Sequence, residues 1–442
     1  MGARMGLTRG QFLRLVGAGA AGALLGGCAS SPPPIDVTAP EFTDAEPSGT
    51  VRLWCRGGLQ PTTQRLVDRF HAAQDRIRVD LTPVPDGQYV TKLATAIRGG
   101  RVPDLVDIDD INSALFVHRG VFADLTPLID ALPYRDRLSP GHLALSARDG
   151  RWFGAPSLAD NSTLWCNASL FARAGVDVDE TTGSLAGCLE AARAIAGLGE
   201  DTHGWFFPGN AAGALAFTVQ PHVWAGGADL ITGEVGAQRA HILGNEPLRA
   251  TLEFLRALWT EGLTPPAIDS DDGSRWASRF QAGRVGMMPC GFGIVTTDAS
   301  EELLAECEVR LLAGPEGGRS FFDGGTNLCL PNGSDNPAAA WEFVTFCLDL
   351  EQQTSLPETG YIPVRSDAAT DAFRARWPLA APPLLELDAG HAPLSLAYAR
   401  IYNQNDGPWL AMIREAVFGG GVERALRAAQ PRFDEILRQG DA

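Results

Sequence analysis

The sequence predicts an α/β protein with a mostly parallel sheet and helices on both faces. Three observations carry this. Strand and helix periods alternate through the first third of the chain. The composition is globular, with 45% hydrophobic and 20% charged residues. The 442 residues suffice for two or three domains with sizeable cores. Val51-Arg-Leu-Trp54 reads as a short strand, and Pro61 to Ala73 as a helix with Leu66, Val67 and Phe70 on one stripe. Ile77 to Val84 alternates as a strand. Tyr89 to Gly100 is a helix closed by two glycines, Pro103 to Ile108 a strand, and Asn112 to Arg119 a helix. This β-α-β-α-β order implies parallel pairing, and such sheets bind ligands at the carboxyl ends of their strands. From about residue 161 the chain reads as helix-rich, with apolar stripes in Pro247 to Glu261 and Ala338 to Leu350. No repeat of solenoid period is present.

The formal charge is −17, from 36 Lys and Arg against 53 Asp and Glu. With no basic tail or block, nucleic acid is not an expected partner.

The N-terminus sets the expected compartment. Arg4, Arg9 and Arg14 precede a short apolar stretch, Leu15 to Leu25. A permanent span needs ~20 residues, so a cleaved signal fits better than a membrane anchor. Leu25-Gly26-Gly27-Cys28 resembles a bacterial lipobox. That resemblance implies a signal peptide over 1–27 and a lipid on Cys28. The protein would then be held on the outer face of the cytoplasmic membrane. Thr8-Arg9-Gly10-Gln11-Phe12-Leu13 resembles a twin-arginine signal with Gly10 in place of the second arginine, so the export route stays open. A GxGxxG match at Gly17–Gly22 lies inside this segment, with no strand before it, and is set aside. Residues 28–50, rich in Pro, Ser and Thr, read as a flexible spacer. Removing Cys28 from the eight cysteines leaves seven, so at least one is expected to be free.

Several stretches, in order, carry a family resemblance. They include Val102-Pro-Asp-Leu-Val-Asp-Ile-Asp109, Gly120-Val-Phe-Ala-Asp-Leu-Thr-Pro127 and Gly150-Arg-Trp-Phe-Gly-Ala-Pro156. Trp165-Cys-Asn167 through Ala174-Gly-Val-Asp177, Phe280-Gln-Ala-Gly-Arg-Val-Gly-Met287 and Thr359-Gly-Tyr-Ile-Pro-Val-Arg365 continue the series. Together they resemble the family 1 extracellular solute-binding proteins of ABC importers, in the maltose-binding and glycerol-phosphate-binding group. The resemblance covers essentially 51–435. Departures are Trp165-Cys166 for a usual pair of tyrosines, Thr182-Gly-Ser-Leu185 for Thr-Trp-x-Glu, and Phe292-Gly293 where a Trp is common.

The resemblance implies a two-lobe periplasmic-binding-protein fold. Lobe 1 would hold 51–159 and 324–361, and lobe 2 would hold 160–323 and 362–442. Hinge crossings are expected near 159–161, 322–324 and 361–362. It further implies a carbohydrate ligand, such as a mono- or oligosaccharide or an amino sugar. A glycerophosphodiester is the first alternative and a glycoside-active enzyme the second. The partners would be the membrane permease and the small ligand. No cofactor or metal is expected, and the protein should be a monomer.

A sugar site needs polar side chains to pair buried hydroxyls and aromatic faces to cover C–H surfaces. Asp109, Asp110 and Asn112 follow a strand, where they could equally cap the next helix. Asp160 precedes Asn167 by seven residues, a position that resembles the ligand-contacting one of the maltose-binding group. Tyr89, Phe292 and Tyr361 are candidate walls, and Gly291 and Gly325 candidate points of close backbone approach. Arg400 is a candidate fork for an oxygen cluster, and Trp205 and Trp276 are candidate stacking platforms. No H-E-x-x-H, G-x-S-x-G, P-loop or zinc-spaced Cys/His cluster occurs. Asp110 and Asp160 could serve a glycosidase only at a separation of ~5–9 Å.

Overall fold

The computed structural model describes residues 46–199 and 201–440. The expected signal, Cys28 and the spacer up to residue 45 lie outside the described residues.

Strand β1 (Gly49–Arg56) buries Val51, Leu53 and Cys55 on one face, as a period of two requires. Helix α1 (Gln60–Ala73) covers that face with Leu66, Val67 and Phe70. Strand β2 (Ile77–Val84) runs parallel to β1, pairing Val51 with Val79. Helix α2 (Asp86–Arg98) leads to β3 (Leu105–Asp109), which pairs in parallel with the other edge of β1. Helices α3 (Asp110–His118) and α4 (Pro140–Leu145) follow.

The chain continues through β4 (Ala155–Asn167), β5 (His203–Trp205), α5 (Ala212–Ala225) and α6 (Glu246–Thr260). Then come β6 (Val285–Gly291), β7 (Cys307–Arg310), β8 (Arg319–Cys329) and α7 (Pro337–Leu348). Helices α8 (Pro408–Val417) and α9 (Val422–Gly440) end it.

The sheet order β2-β1-β3-β8-β4-β6-β5 is mixed, which corrects the mostly parallel expectation. Only β1–β2, β1–β3 and β5–β6 of this path are parallel; β8 is antiparallel to both β3 and β4. The cause is that β4 and β8 are long strands running between two lobes in opposite directions. Residues 155–161 of β4 pair with β8, and residues 162–166 pair with β6. Ala159 and Ile362 exchange two backbone hydrogen bonds of 2.8 Å, adding a third strand of chain at the same point. Backbone pairing thus brings residues 155–166, 323–328 and Ile362 together at one place.

One segment sits differently. Val364 and Arg365 were expected in the second lobe. Instead, the Val364 carbonyl accepts from Ser139 N–H at 2.8 Å, and Arg365 donates to Leu348 O at 2.8 Å. Arg365 also stacks 3.7 Å over the Tyr134 ring. These partners all lie in segments expected in the first lobe. Helices α8 and α9 pack on α6, in the second.

All seven cysteines from Cys55 to Cys347 are buried free thiols. Among the described residues no helix is long and apolar enough to cross a membrane.

Candidate functional site

A cavity of about 280 Å³ opens where the two lobes meet. That is near the lower end of ligand pockets, about 300–1,000 Å³. The carboxyl ends of β1 and β3 supply Arg56, Asp109 and Asp110 to one wall. The hinge strands supply Asp160, Gly324 and Gly325 to the floor, and the third crossing supplies Tyr361. Phe217 of α5, Phe322 of β8, and Tyr398 and Asn403 complete the opposite wall.

Charge is concentrated on the first wall. Arg56 Nη1 donates to Asp109 Oδ2 at 2.6 Å, while its Nε is buried and unpartnered. Burial opposes the Arg56 charge, but Asp109 and Asp107 outweigh it and keep the guanidinium protonated. Asp160 accepts no hydrogen bond from a described residue. Burial raises its carboxyl to about 6; nearby Arg56 opposes the rise and Asp109 adds to it.

Asp110 is 1% exposed. Its Oδ1 accepts from Ile111 N–H at 2.7 Å, and its Oδ2 has no hydrogen-bond donor. Burial holds this carboxyl well above the carboxylate range, against the pull of His142. The His142 Nε2 lies 3.6 Å from Oδ2, and its Nδ1 lies 3.4 Å from Asp323 Oδ1. Burial works against a charged His142, yet Asp323 and Asp110 lift it to about 9. Asp323 in turn accepts from Ser139 Oγ and from Asn161 Nδ2, the latter at 2.9 Å. A buried Asp110–His142–Asp323 line therefore joins the first wall to both hinge strands.

Aromatic rings dominate the other wall, with Asn403 as its amide. The Phe217 and Phe322 rings lie 5.4 Å apart, and Trp224 backs Phe322 at 5.7 Å. Burial, with Asp160 nearby, raises the Tyr361 phenol to about 12, so its hydroxyl remains a donor.

Of the sequence candidates, Asp109, Asp110, Asp160, Gly325 and Tyr361 line the cavity. The others do not, for distinct reasons. Tyr89 is 2% exposed; its helix begins three residues earlier, at Asp86, so the ring turns inward and the hydroxyl donates to Trp54 O at 3.1 Å. Asn112 is half-buried in the first turn of α3. Trp205 is 1% exposed in the second-lobe core, edge-on to Phe254 at 5.1 Å. Trp276 stands behind Phe217, edge-on at 6.3 Å. Phe292 packs on Trp165 and faces a separate apolar hollow beside Gly360 and Trp377. Gly291 contributes by what it lacks: a Cβ there would lie 2.3 Å from Asp160 Oδ1. Arg400 turns away and donates to Gln439 on α9. Its segment, a π-helical turn over Ala399–Asn403, sends Asn403 to the cavity instead.

Sequence reasoning missed Arg56, Phe217, Phe322, Tyr398 and Asn403. Arg56 carried one signal, a charge directly at a strand end. Among the described residues no cluster of three or more His, Cys, Asp or Glu is placed for a metal.

Two lobes, three crossings and a cleft walled by both define a hinged two-lobe α/β binding fold. Residues 65–382 match the family described as bacterial extracellular solute-binding protein. A Brucella abortus (strain 2308) relative, named for binding without a ligand, is 23% identical over 394 residues, 86% of this chain and 90% of its own. The sugar-binding protein MalE of Xanthomonas citri superposes with TM-score 0.78 at 20% identity, covering 88% of this chain and 98% of that one. UgpB of Mycobacterium tuberculosis, solved with glycerophosphocholine, gives 0.69 at 19% identity over 89% and 99%. The chain belongs to the bacterial extracellular solute-binding protein family.

Proposed function

We propose that this protein is the substrate-binding component of an ABC importer, capturing a small saccharide or polyol outside the cytoplasm and presenting it to a membrane permease. The observation that carries this is the small inter-lobe cavity, with hydroxyl-pairing carboxylates on one wall and ring faces on the other. Each lobe offers one half of what a sugar needs, so a bound sugar favours the closed arrangement by contacting both. No bond is made or broken. Anchoring as a monomer through a lipidated Cys28 belongs to the same proposal, and the spacer would leave the lobes free to reach the permease.

The test is thermal unfolding of the protein against neutral sugars, polyols and glycerophosphocholine. A ligand at 100 times its Kd adds about 2.7 kcal/mol to stability. A rise with a sugar or polyol supports the reading, and no rise with any member refutes it. A glycerophosphodiester is the second reading. It rests on Arg56, whose unpartnered Nε could serve a phosphate oxygen. It would be favoured by a rise with glycerophosphocholine alone.

A further inference from the structure

We infer that the ligand of this cleft is a saccharide or polyol carrying a primary ammonium group, which docks between Asp110 and Asp160. The inference rests on the binding function proposed above and specifies its substrate class.

The argument starts from the chemistry of the walls. Four carboxyl groups line the cavity, on Asp86, Asp109, Asp110 and Asp160. Arg56 is the one cation lining it among the described residues, and it is committed to Asp109 at 2.6 Å. Of the remaining deep carboxyls, Asp160 has no cation within hydrogen-bond reach, and Asp110 has only the raised His142. The imidazole of His142 approaches Asp110 only to 3.6 Å, from behind the cavity.

The second observation is independent of that count. Asp110 lines the cavity and is 1% exposed, and its buried Oδ2 has no donor within hydrogen-bond distance. A buried acceptor left unpaired is costly, and a ligand donor that reached it would relieve that cost. Asp160 likewise accepts nothing from the described residues. Its carboxyl is seated against Gly291, where a Cβ would come within 2.3 Å. Alanine there would displace the carboxyl.

An ionised carboxylate only accepts hydrogen bonds, and an ammonium only donates them, three at a time; its charge would also draw the raised Asp110 carboxyl back toward the ionised form. A hydroxyl spends part of its capacity as an acceptor, which neither Asp110 Oδ2 nor an ionised Asp160 can use. Charge-assisted bonds are also roughly twice as strong as neutral ones. A quaternary ammonium has no N–H to offer Oδ2, and a phosphate would enter a wall of net negative charge. The rings of Phe217 and Tyr361 suit a cation or the C–H face of the attached polyol.

The experiment is calorimetric titration of the full chain at pH 7 and low salt with matched pairs. Suitable pairs are glucosamine with glucose, galactosamine with galactose, and 1-amino-1-deoxysorbitol with sorbitol. N-acetylglucosamine serves as the uncharged amide control. The expected result is at least one pair in which the amine binds tenfold or more tightly than its neutral partner, with the advantage shrinking in 0.5 M salt. Asp160→Asn, which keeps an oxygen acceptor and removes the charge, should collapse that ratio below threefold in a chain that still unfolds cooperatively. Neutral members binding as well as the amines would overturn the inference and leave the saccharide reading standing. An unchanged ratio in Asp160→Asn would overturn it too. Binding of glycerophosphocholine with no binding by any pair would remove both the inference and the saccharide reading.

Discussion

Replacing Asp323 with Asn tests whether the hinge is held by a buried charge. Asp323 is fully buried on β8 and accepts from Ser139 Oγ and Asn161 Nδ2. The charged groups facing His142 are Asp323, 3.4 Å from Nδ1, and Asp110, 3.6 Å from Nε2. Together they raise the imidazole from 6.5 to about 9 against its burial. A group raised on folding stabilises the fold below its unfolded value, and that stability is lost as pH climbs through the folded one. The wild type should therefore lose about 1.4 kcal/mol per pH unit between roughly 6.5 and 9, some 3 kcal/mol in all. In Asp323→Asn the principal anion is gone, burial prevails, and His142 is neutral across this range. The variant should be most destabilised near pH 6, by about 3–5 kcal/mol as expected for breaking a buried pair. The deficit should shrink by about 3 kcal/mol at pH 9.5, where the wild-type imidazole has also lost its proton. Urea unfolding at pH 6, 7.5 and 9.5 reads this directly. A deficit that is constant with pH would refute the reasoning, because it would mean that Asp323 acts only through its neutral hydrogen bonds.

Two further outcomes follow from the packing. Gly325 has φ of +150°, and a Cβ on it would sit 2.1 Å from Leu158 O and 2.7 Å from His142 Nε2. Gly325→Ala should lower stability by more than about 2 kcal/mol, with Gly87→Ala, where no atom lies within 4 Å of the added Cβ, near neutral as the control; equal melting temperatures for the two would contradict the hinge geometry. The thiols from Cys55 to Cys347 are all buried, and burial, with Asp107 nearby, raises Cys55 to about 12. They should react with a thiol reagent only after denaturation, and a reductant should leave the melting temperature unchanged; fast labelling of the native protein would disprove their burial.

Local pattern carried much of the architecture. Ile77–Val84 alternates so regularly that the strand read from sequence and the folded one coincide. The acids at 109, 110 and 160 were legible because a carboxylate just past an apolar strand, or at a hinge crossing, has few positions to occupy except the cleft edge. The ordered motifs implied three crossings, and backbone pairing at Ala159–Ile362 and Asp323–Asn161 occurs where those motifs placed them.

What the sequence alone could not decide was direction. Arg52 and Arg56 lie on one strand four residues apart. One reaches Asp104 at 2.9 Å near the strand start, the other Asp109 in the cleft. Nothing local distinguishes them, because the difference is which end of the sheet faces the second lobe. Trp205 and Phe217 are both large aromatics in the second lobe, yet packing sends one into the core and the other to the cavity. A π-helical turn moves the cleft contact from Arg400 to Asn403, since the wider turn rotates successive side chains by less than an α-helix does. Sequence fixes a residue's chemistry and its period along an element. Only the packing of lobe against lobe, through contacts hundreds of residues apart, decides which surface that chemistry meets.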